Sequence, residues 1–263
     1  MGDQQWHSSI TEIGPGKIRV RGYHITDIME KLNFAEAVFL ILKGELPNRA
    51  ESEMMRAILV SSIDHGCSPP SVLGARNVIA GGNPLNAAIA GGVLVIGDSH
   101  GGAIENAAKI MQRWAKKEGA IKKLADDLVD YILENKIRMP GFGHRLHNVD
   151  PRTIKLFEIA KRCGFSGRHI ELCIAIEKAL EEKLGRKLPI NVDGGIAAVI
   201  SDMGFDWRLG KGFFIISRVP GLVAQAYEEM TREKPMRELG NRNFSYDGPA
   251  EREIGKHSDP GDS

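Results

Sequence analysis

Helical periodicity runs through almost the whole 263-residue chain and leaves little sequence for a sheet. In residues 48–66, for example, apolar side chains recur every three or four positions, which is the pattern of an amphipathic helix. The alternation typical of a strand is confined to residues 17–21, and residues 22–27 then indicate a turn that leads into a helix. We therefore predict an all-α fold with a short hairpin near the N-terminus.

Two regions, residues 71–96 and 213–229, are apolar and rich in small residues. Helices of that composition belong at the centre of a helical domain or at a subunit interface. The helices between them, over residues 101–198, have charged outer faces instead. We expect residues 1–100 and 199–263 to form a large helical domain, with residues 101–198 inserted as a smaller one. The large domain would form the core of a homodimer, or of a higher oligomer built from dimers.

The balance of charge excludes several classes of partner. The chain has 35 basic and 34 acidic residues, a net charge of +1, so it lacks the concentrated basic field that nucleic acids or membrane surfaces require. The longest apolar stretch, around residues 85–96, is too short to span a bilayer. The N-terminus has no basic-then-apolar signal region, and Cys67, Cys163 and Cys173 form no CxxC pair. We expect a cytoplasmic protein.

Three polar residues in unusual surroundings are candidate functional positions. His65 follows a helix, where it either complements the helix dipole or acts on a ligand. Asp193 stands between an apolar tripeptide and two glycines, where it either caps a helix or, with a raised pKa, serves as a base. Arg218 lies inside an apolar helix and needs an anionic partner, which is either a structural ion pair or a ligand carboxylate.

A fourth candidate, His100, lies between an apolar segment and a new helix. Capping of that helix by Asp98 or Ser99 is one explanation of these polar residues, and a functional role of the segment is the other. Capping does not explain the histidine or the two glycines after it, Gly101 and Gly102. Glycines permit close approach of the backbone, so we expect them to bring the chain close to whatever His100 faces.

A fifth candidate, His144, is delivered by a turn in which glycine stands on either side of Phe142. Asp150 and Pro151 are expected to start the next helix, directly before Arg152. His147 lies at helical spacing from His144, but no carboxylate or cysteine pattern completes a metal site. We expect no bound metal.

These candidates occur in motifs that resemble those of the citrate synthase superfamily, in the same order and over nearly the whole chain. The motifs are RGYHITDI at 21–28, DHG at 64–66, GDSHGGAIENA at 97–107, PGFGHRLHNVDPRT at 140–153, INVDGGIAAV at 190–199 and SRVPGLVAQ at 217–225. The chain is shorter than typical citrate synthases. The segments SIDHG and IGDSHGGAIENAAKI look closer to citryl-CoA lyases and to the lyase module at the C-terminus of ATP citrate lyase.

The resemblance implies a role for each candidate residue. His100 would hydrogen-bond the thioester carbonyl of acetyl-CoA, Asp193 would take or return the methyl proton, and His144 would polarise the keto carbonyl of oxaloacetate. The residues implied to hold the substrate carboxylates are His65, Arg152, Arg218 and Arg237, the last resembling an arginine contributed by the partner subunit. The residues implied to contact CoA are Pro140, Gly141, Phe142 and Gly143.

The chemistry of a thioester accounts for these residue types. Its methyl group is a very weak carbon acid, so deprotonation requires an aligned carboxylate and a donor at the developing enolate oxygen. A second donor is needed at the ketone oxygen, and planar arginines match the substrate carboxylates. No permanently bound cofactor is expected; a CoA thioester and an oxo acid or citrate are the substrates.

Three hypotheses about function follow from the resemblance. The first is cleavage of citryl-CoA to acetyl-CoA and oxaloacetate, which the short length favours. The second is a compact citrate or 2-methylcitrate synthase, and the third is a non-catalytic partner subunit that binds a CoA ester. Retention of His100, His144 and Asp193 argues against the third.

Overall fold

The computed structural model describes residues 6–143, 149–237 and 247–248. These residues form three short strands, eleven α-helices and one turn of 3-10 helix. The strands are β1 (Thr11–Gly14), β2 (Lys17–Val20) and β3 (Tyr23–His24). The helices are α1 (Ile25–Lys31), α2 (Phe34–Lys43), α3 (Arg49–Ser61), α4 (Pro70–Ala80), α5 (Leu85–Leu94), α6 (Ala103–Ala115), α7 (Ile121–Glu134), α8 (Pro151–Arg162), α9 (Arg168–Leu184), α10 (Val192–Asp202) and α11 (Gly210–Arg232).

The predicted hairpin near the N-terminus is confirmed and includes a third strand. Strands β1, β2 and β3 pair in that order, each antiparallel to the next. Thr11 lies opposite Val20, and Arg19 lies opposite His24. The remaining named elements of the described residues are helical, which confirms the predicted helical fold.

Helix α10 lies inside the main hydrophobic core. Every residue from Gly194 to Ser201 is buried, and the helix packs against α6, α8 and α9. A helix that is apolar on all sides is stable in water only when other elements surround it, and this sequence is apolar on all sides. The burial of α10 therefore carries its first turn, which contains Asp193, into the interior.

Small residues let α4 and α5 pack closely. A Cβ added at Gly74 would lie 3.2 Å from the carbonyl oxygen of Gly91, and one at Gly92 would lie 2.9 Å from that of Ser71. Part of the small-residue pattern in residues 71–96 therefore serves packing within the chain. The division into a large and a small domain stays a prediction.

Helix α3 ends earlier than its periodicity suggests. The amphipathic pattern of residues 48–66 predicts a helix up to His65, but α3 ends at Ser61. The chain then forms a loop in which the Asp64 carboxylate accepts a hydrogen bond from the Gly66 backbone N–H at 3.0 Å.

Of the helices described, none is both long enough and apolar enough to cross a bilayer.

Candidate active site

The first turn of α10 presents Asp193 with its carboxylate free of a capping role. Asn191 is the N-cap, because its side-chain oxygen accepts hydrogen bonds from the backbone N–H groups of Asp193 and Gly194 at 3.0 and 3.2 Å. The alternative that Asp193 itself caps the helix is therefore wrong. The sequence does contain the signal for the correct cap, since asparagine directly before a helix is a favoured N-cap.

Asp193 is only partly accessible to solvent, and its environment favours the protonated form. Burial raises the pKa of its carboxyl to about 6; the charges of Arg152 and Arg218 act in the opposite direction, and that of Asp150 adds to the increase. A carboxyl with a pKa this near neutrality is suited to gain and lose a proton during a reaction.

The loop that leads to His144 is attached to the start of α10. The Asn191 backbone N–H donates to the Gly141 carbonyl oxygen at 3.1 Å, and the Asn191 side-chain amide donates to that of Gly143 at 2.9 Å. A Cβ at Gly194 would lie 2.3 Å from the Gly141 oxygen. The glycines of this loop and of α10 thus allow two backbone segments to touch.

His144 itself lies in residues 144–148, outside the described residues, so its position stays a prediction. Among the residues expected to contact CoA, Phe142 is only 4% exposed and its ring belongs to the main core. Pro140 and Gly143 are partly accessible. The solvent-accessible residues of this part of the loop are therefore Pro140 and Gly143, and contact with CoA stays a prediction.

His100 lies between α5 and α6, where its ring meets Ser71 and stacks edge-on against Phe214. Its Nε2 atom is 2.8 Å from the Ser71 hydroxyl and accepts a hydrogen bond from the Ser71 backbone N–H at 3.4 Å. In the tautomer in which Nε2 accepts this backbone N–H, the proton of the neutral ring lies on Nδ1. Burial, and the charges of Arg218 and His65, lower the pKa of His100 to about 4, so it is a neutral donor at pH 7.

The two glycines that follow this histidine are explained by contacts within the protein. Gly101 has a φ of +81°, and a Cβ there would lie 2.4 Å from the Phe214 ring. A Cβ at Gly102 would lie 2.7 Å from the Cα of Asp98. Helix α6 begins without any side-chain cap, so the alternative that Asp98 or Ser99 caps it is wrong.

Arg218 of α11 is almost completely buried, at 2% exposure. Its Nε donates to the Ser62 carbonyl oxygen at 2.9 Å, and its guanidinium carbon lies 4.8 Å from the centre of the Phe214 ring. Its Nη1 atom has no hydrogen-bond partner among the described residues, and no carboxylate there lies within ion-pair distance. The alternative of a structural ion pair is thus not found in this part of the chain, although the charges of Asp64 and Asp193 act on the guanidinium.

Arg152, at the start of α8, is paired with Asp150. Its Nε and Nη2 atoms donate to the two carboxylate oxygens at 3.0 and 2.8 Å. Asp150 also accepts the backbone N–H of Arg152, which confirms that it starts α8, and the backbone N–H of Val192 at 2.9 Å. Sequence reasoning missed this last contact, because Asp150 and Val192 are 42 residues apart.

His65 lies beyond the end of α3, in the loop that precedes α4. The loop rests on α11 at Gly221, where a Cβ would lie 2.1 Å from the Ile63 carbonyl oxygen. Partial burial and the charges of Arg152 and Arg218 lower the pKa of His65. A role in complementing the helix dipole does not fit, since that effect is confined to the last turn of a helix.

Arg237 lies in the chain beyond the end of α11. Its guanidinium donates to Glu229, which is 1% exposed and also accepts a hydrogen bond from Arg76 Nε at 2.7 Å. This buried ion-pair group joins α4 to the end of α11. Whether Arg237 acts in a partner's site is not decided by this geometry and stays a prediction.

We refer to five residues that share one electrostatic environment as the polar cluster: His65, His100, Arg152, Asp193 and Arg218. The cluster combines a proton-exchanging carboxyl, a neutral imidazole donor and a buried cation. Such a set can hold an anionic substrate and move a proton to or from carbon.

In residues 6–143 and 149–237, no three His, Cys, Asp or Glu side chains are grouped in a way that would bind a metal ion.

Sequence comparison matches residues 48–238 to a protein family described as citrate synthase, C-terminal domain. Among solved structures, the citryl-CoA lyase from Hydrogenobacter thermophilus is 46% identical, with a TM-score of 0.89. The alignment covers 95% of this chain and 97% of that one. The ATP citrate lyase from Methanothrix soehngenii, solved with citrate and coenzyme A, is 21% identical with a TM-score of 0.81, and shares the fold over 95% of this chain and 43% of its own.

The chain is also similar to longer curated proteins. Citrate synthase 2 of Bacillus subtilis is 29% identical over 87% of this chain and 60% of its own length. The ATP-citrate synthase beta chain protein 2 of Arabidopsis thaliana is 27% identical over 82% of this chain and 36% of its own length. The chain thus spans between about a third and three fifths of these relatives.

Proposed function

Because the chain belongs to the citrate synthase family, we propose that it cleaves citryl-CoA into acetyl-CoA and oxaloacetate. The 46% identity to the Hydrogenobacter thermophilus lyase, over nearly the full length of both chains, supports cleavage. One observation in the site carries the proposal. The buried Arg218 has an Nη1 atom with no partner among the described residues, and its charge acts on Asp193, whose pKa is raised to about 6.

The substrate carboxylates are assigned to the cationic side of the polar cluster. The pKa of Arg218 is lowered by burial, yet a guanidinium remains protonated in proteins, so Arg218 is a permanent cation with an N–H to offer. Arg152 has two N–H groups held by Asp150 and others left over. His65 lies near both arginines. We assign these three residues, together with the partner's Arg237, to the carboxylates of citryl-CoA.

Cleavage begins at the tertiary hydroxyl of citryl-CoA. His144, in the role implied by the family resemblance, takes the hydroxyl proton while that oxygen becomes the keto oxygen of oxaloacetate. The electron pair of the breaking carbon–carbon bond moves toward the thioester and forms the enolate of acetyl-CoA. The Nδ1–H of His100 stabilises the enolate oxygen, because a neutral imidazole donates a hydrogen bond there without giving up its proton.

Asp193 completes the reaction by giving its proton to the enolate carbon, which becomes the methyl group of acetyl-CoA. With a pKa of about 6, a minority of Asp193 is protonated at pH 7, and this minority is the form active in cleavage. In the reverse direction the ionised carboxylate removes the methyl proton. The same groups therefore serve cleavage and condensation.

A citrate or 2-methylcitrate synthase is the second candidate, favoured by the similarity to citrate synthase 2 of Bacillus subtilis. Such an enzyme condenses an acyl-CoA with oxaloacetate and then hydrolyses the thioester, which releases free CoA. A non-catalytic CoA-ester-binding subunit is the third. That hypothesis gives no reason for an Asp193 with a pKa near neutrality or for a neutral His100 donor.

Two parallel assays of the purified chain test the proposal. One supplies chemically prepared citryl-CoA and measures oxaloacetate, and the other supplies acetyl-CoA with oxaloacetate and measures free CoA. The lyase proposal requires release of oxaloacetate in the first assay and negligible CoA in the second. Steady release of CoA in the second would support the synthase. No turnover in either, with CoA-ester binding unchanged in Asp193→Ala, would support the binding subunit.

We also infer that the chain works as a homodimer, or as a higher oligomer of dimers. Exposed apolar side chains on and next to α5 and α11 support this inference, among them Leu94 at 83%, Tyr227 at 63% and Met230 at 52% exposure. Residues 101–198 would form the part that closes over the substrate. Light scattering at micromolar concentration should give at least twice the mass of 28.8 kDa. A monodisperse monomer would contradict the inference.

A further inference from the structure

Asp150 is fully buried and accepts more hydrogen bonds than its position as a helix cap requires. Its carboxylate receives the backbone N–H of Arg152 at 3.0 Å, and then the Nε and Nη2 atoms of the same side chain. It also receives the backbone N–H of Val192 at 2.9 Å. An N-cap needs only the first of these bonds. The other three connect the start of α8 to an arginine of the polar cluster and to the start of α10.

One carboxylate oxygen of Asp150 makes two of these connections. Oδ2 accepts from both Arg152 Nη2 and the Val192 N–H. Val192 directly precedes Asp193. The Arg152 guanidinium and the backbone that leads into Asp193 are therefore both held by this one oxygen atom. The paired N–H groups of an arginine bind a carboxylate in a fixed planar geometry, which also sets the direction of its remaining donors.

Asp150 also contributes charge to the site. Burial would raise its pKa, but the hydrogen bonds and charge of Arg152, and the Val192 N–H, outweigh that effect and hold the pKa below its usual value. The carboxylate is therefore ionised at neutral pH. The charged groups that act on Asp193 are Arg152 of α8 and Arg218 of α11, which favour its ionised form, and Asp150, which opposes them.

We propose that Asp150 is a positioning residue for the reaction, whose buried carboxylate aligns Arg152 with the first turn of α10 and offsets the arginine charge that Asp193 meets. The proposal rests on the proposed function. It gives a role to a buried ionised group that capping alone does not explain.

The first test compares Asp150→Asn with Asp202→Asn. Asparagine at 150 keeps the size of the side chain but removes its charge. Asp193 then meets an uncompensated Arg152, its pKa falls, and less of it is protonated at pH 7. We expect kcat/KM for citryl-CoA to fall about tenfold or more at pH 7, the upper pH limb of its profile to move to lower pH, and KM to rise.

Asp202 is a matched control because it is also a carboxylate with little exposure that receives backbone N–H groups. It caps the start of α9 from the last residue of α10, accepting from Gly167 at 3.0 Å and Ile170 at 3.1 Å. Asp202→Asn should lower the Tm while the pH limb and KM stay as in the wild type. An Asp150→Asn variant that shows only this pattern overturns the proposal.

A second variant, Val192→Pro, isolates the link to α10. Val192 is the first residue of the helix, a position that tolerates proline, and Asn191 before it already has the extended backbone that proline requires (φ −87°, ψ 176°). The change removes the N–H that donates to Asp150 and leaves the Arg152 pair intact. We expect kcat to fall several-fold with KM retained. An unchanged kcat in a folded protein contradicts the proposal.

Titration of the Asp193 carboxyl by 13C NMR separates this proposal from the proposed function. The signal is assigned by its loss in Asp193→Asn, and the measurement requires no turnover. If the wild type fails to cleave citryl-CoA, the proposed function is wrong, but a lower Asp193 pKa in Asp150→Asn would still support the positioning role. An Asp193 pKa equal in the wild type and Asp150→Asn would overturn that role whatever the activity.

Discussion

The carbonyl oxygen of Gly141 packs so closely on Gly194 that a Cβ on Gly194 would lie 2.3 Å from it. This contact, with the hydrogen bonds from Asn191, keeps the loop that leads to His144 against the helix that carries Asp193. The segment directly before His144 is thus joined to the helix turn that carries Asp193.

Gly194→Ala is expected to separate the loop from α10. The added methyl group overpacks the contact, so we expect a loss of about 1–3 kcal/mol in the free energy of unfolding and at least a tenfold loss in citryl-CoA cleavage. The control is Gly212→Ala in α11, where the new Cβ meets nothing within 4 Å. That change should be neutral or stabilise by up to about 1 kcal/mol. Urea unfolding measures the stability of the two variants, and turnover of citryl-CoA measures their activity. Equal stability and equal activity of the two variants would contradict the account.

The pH dependence of the reaction should depend on its direction. Cleavage needs protonated Asp193, whose pKa is about 6, so kcat/KM for citryl-CoA should be highest below pH 6 and fall as the pH rises through that value. Deuterium exchange into the methyl group of acetyl-CoA needs the ionised carboxylate and should rise over the same range. Both profiles are measured by steady-state or exchange kinetics. Profiles that run in the same direction would exclude Asp193 as the shared acid and base.

Asp193→Asn should stabilise the protein near pH 7 while abolishing activity. The folded-state pKa of about 6 lies above 3.8, the ordinary pKa of an aspartate side chain, so the native state favours the protonated form. The resulting loss in the free energy of unfolding is absent below the unfolded-state pKa and fully present above pH 6. There the difference between the folded and unfolded pKa corresponds to about 1–3 kcal/mol. Denaturant unfolding at pH 7.5 should show this gain, and at pH 4 it should shrink. A variant less stable than the wild type at pH 7.5 would count against the raised pKa.

Arg218→Met should remove the anion site without unfolding the protein. Methionine fills much of the same space, and the loss of a buried charge that has no ion-pair partner among the described residues limits the cost in stability. We expect KM for citryl-CoA to rise at least tenfold. Arg208→Met is the control, since Arg208 is largely exposed and pairs with Asp206. Equal KM values for the two variants would show that Arg218 does not bind the substrate.

The sequence predicts the helical architecture and much of the polar cluster. Periodicity is sufficient for the helices, and the unusual surroundings of His100, Asp193 and Arg218 single them out before any contact is known. The features that the sequence does not reveal depend on contacts between residues that are far apart in the chain. The bond between Asp150 and Val192 joins residues 42 positions apart, and nothing local to either one predicts it.

The structure also resolves local ambiguities in the sequence. Both Asn191 and Asp193 are good N-caps, but the extended backbone lies at Asn191, so the Asp193 carboxylate does not cap the helix. The glycines beside His100 are expected to bring the backbone close to whatever that histidine faces, and Gly101 does make room for the ring of Phe214, against which His100 packs. Gly141 makes room for Gly194, while contact of the loop 140–143 with CoA stays a prediction. A glycine motif indicates close approach, but not which atoms approach.

The most direct measurement is turnover of citryl-CoA by the purified full chain, beside the condensation assay with acetyl-CoA and oxaloacetate and with Asp193→Asn as the inactive reference. The account predicts stoichiometric release of oxaloacetate and acetyl-CoA from citryl-CoA, with negligible free CoA from the condensation mixture. Steady release of free CoA from acetyl-CoA and oxaloacetate, or citryl-CoA cleavage that persists in Asp193→Asn, would contradict it.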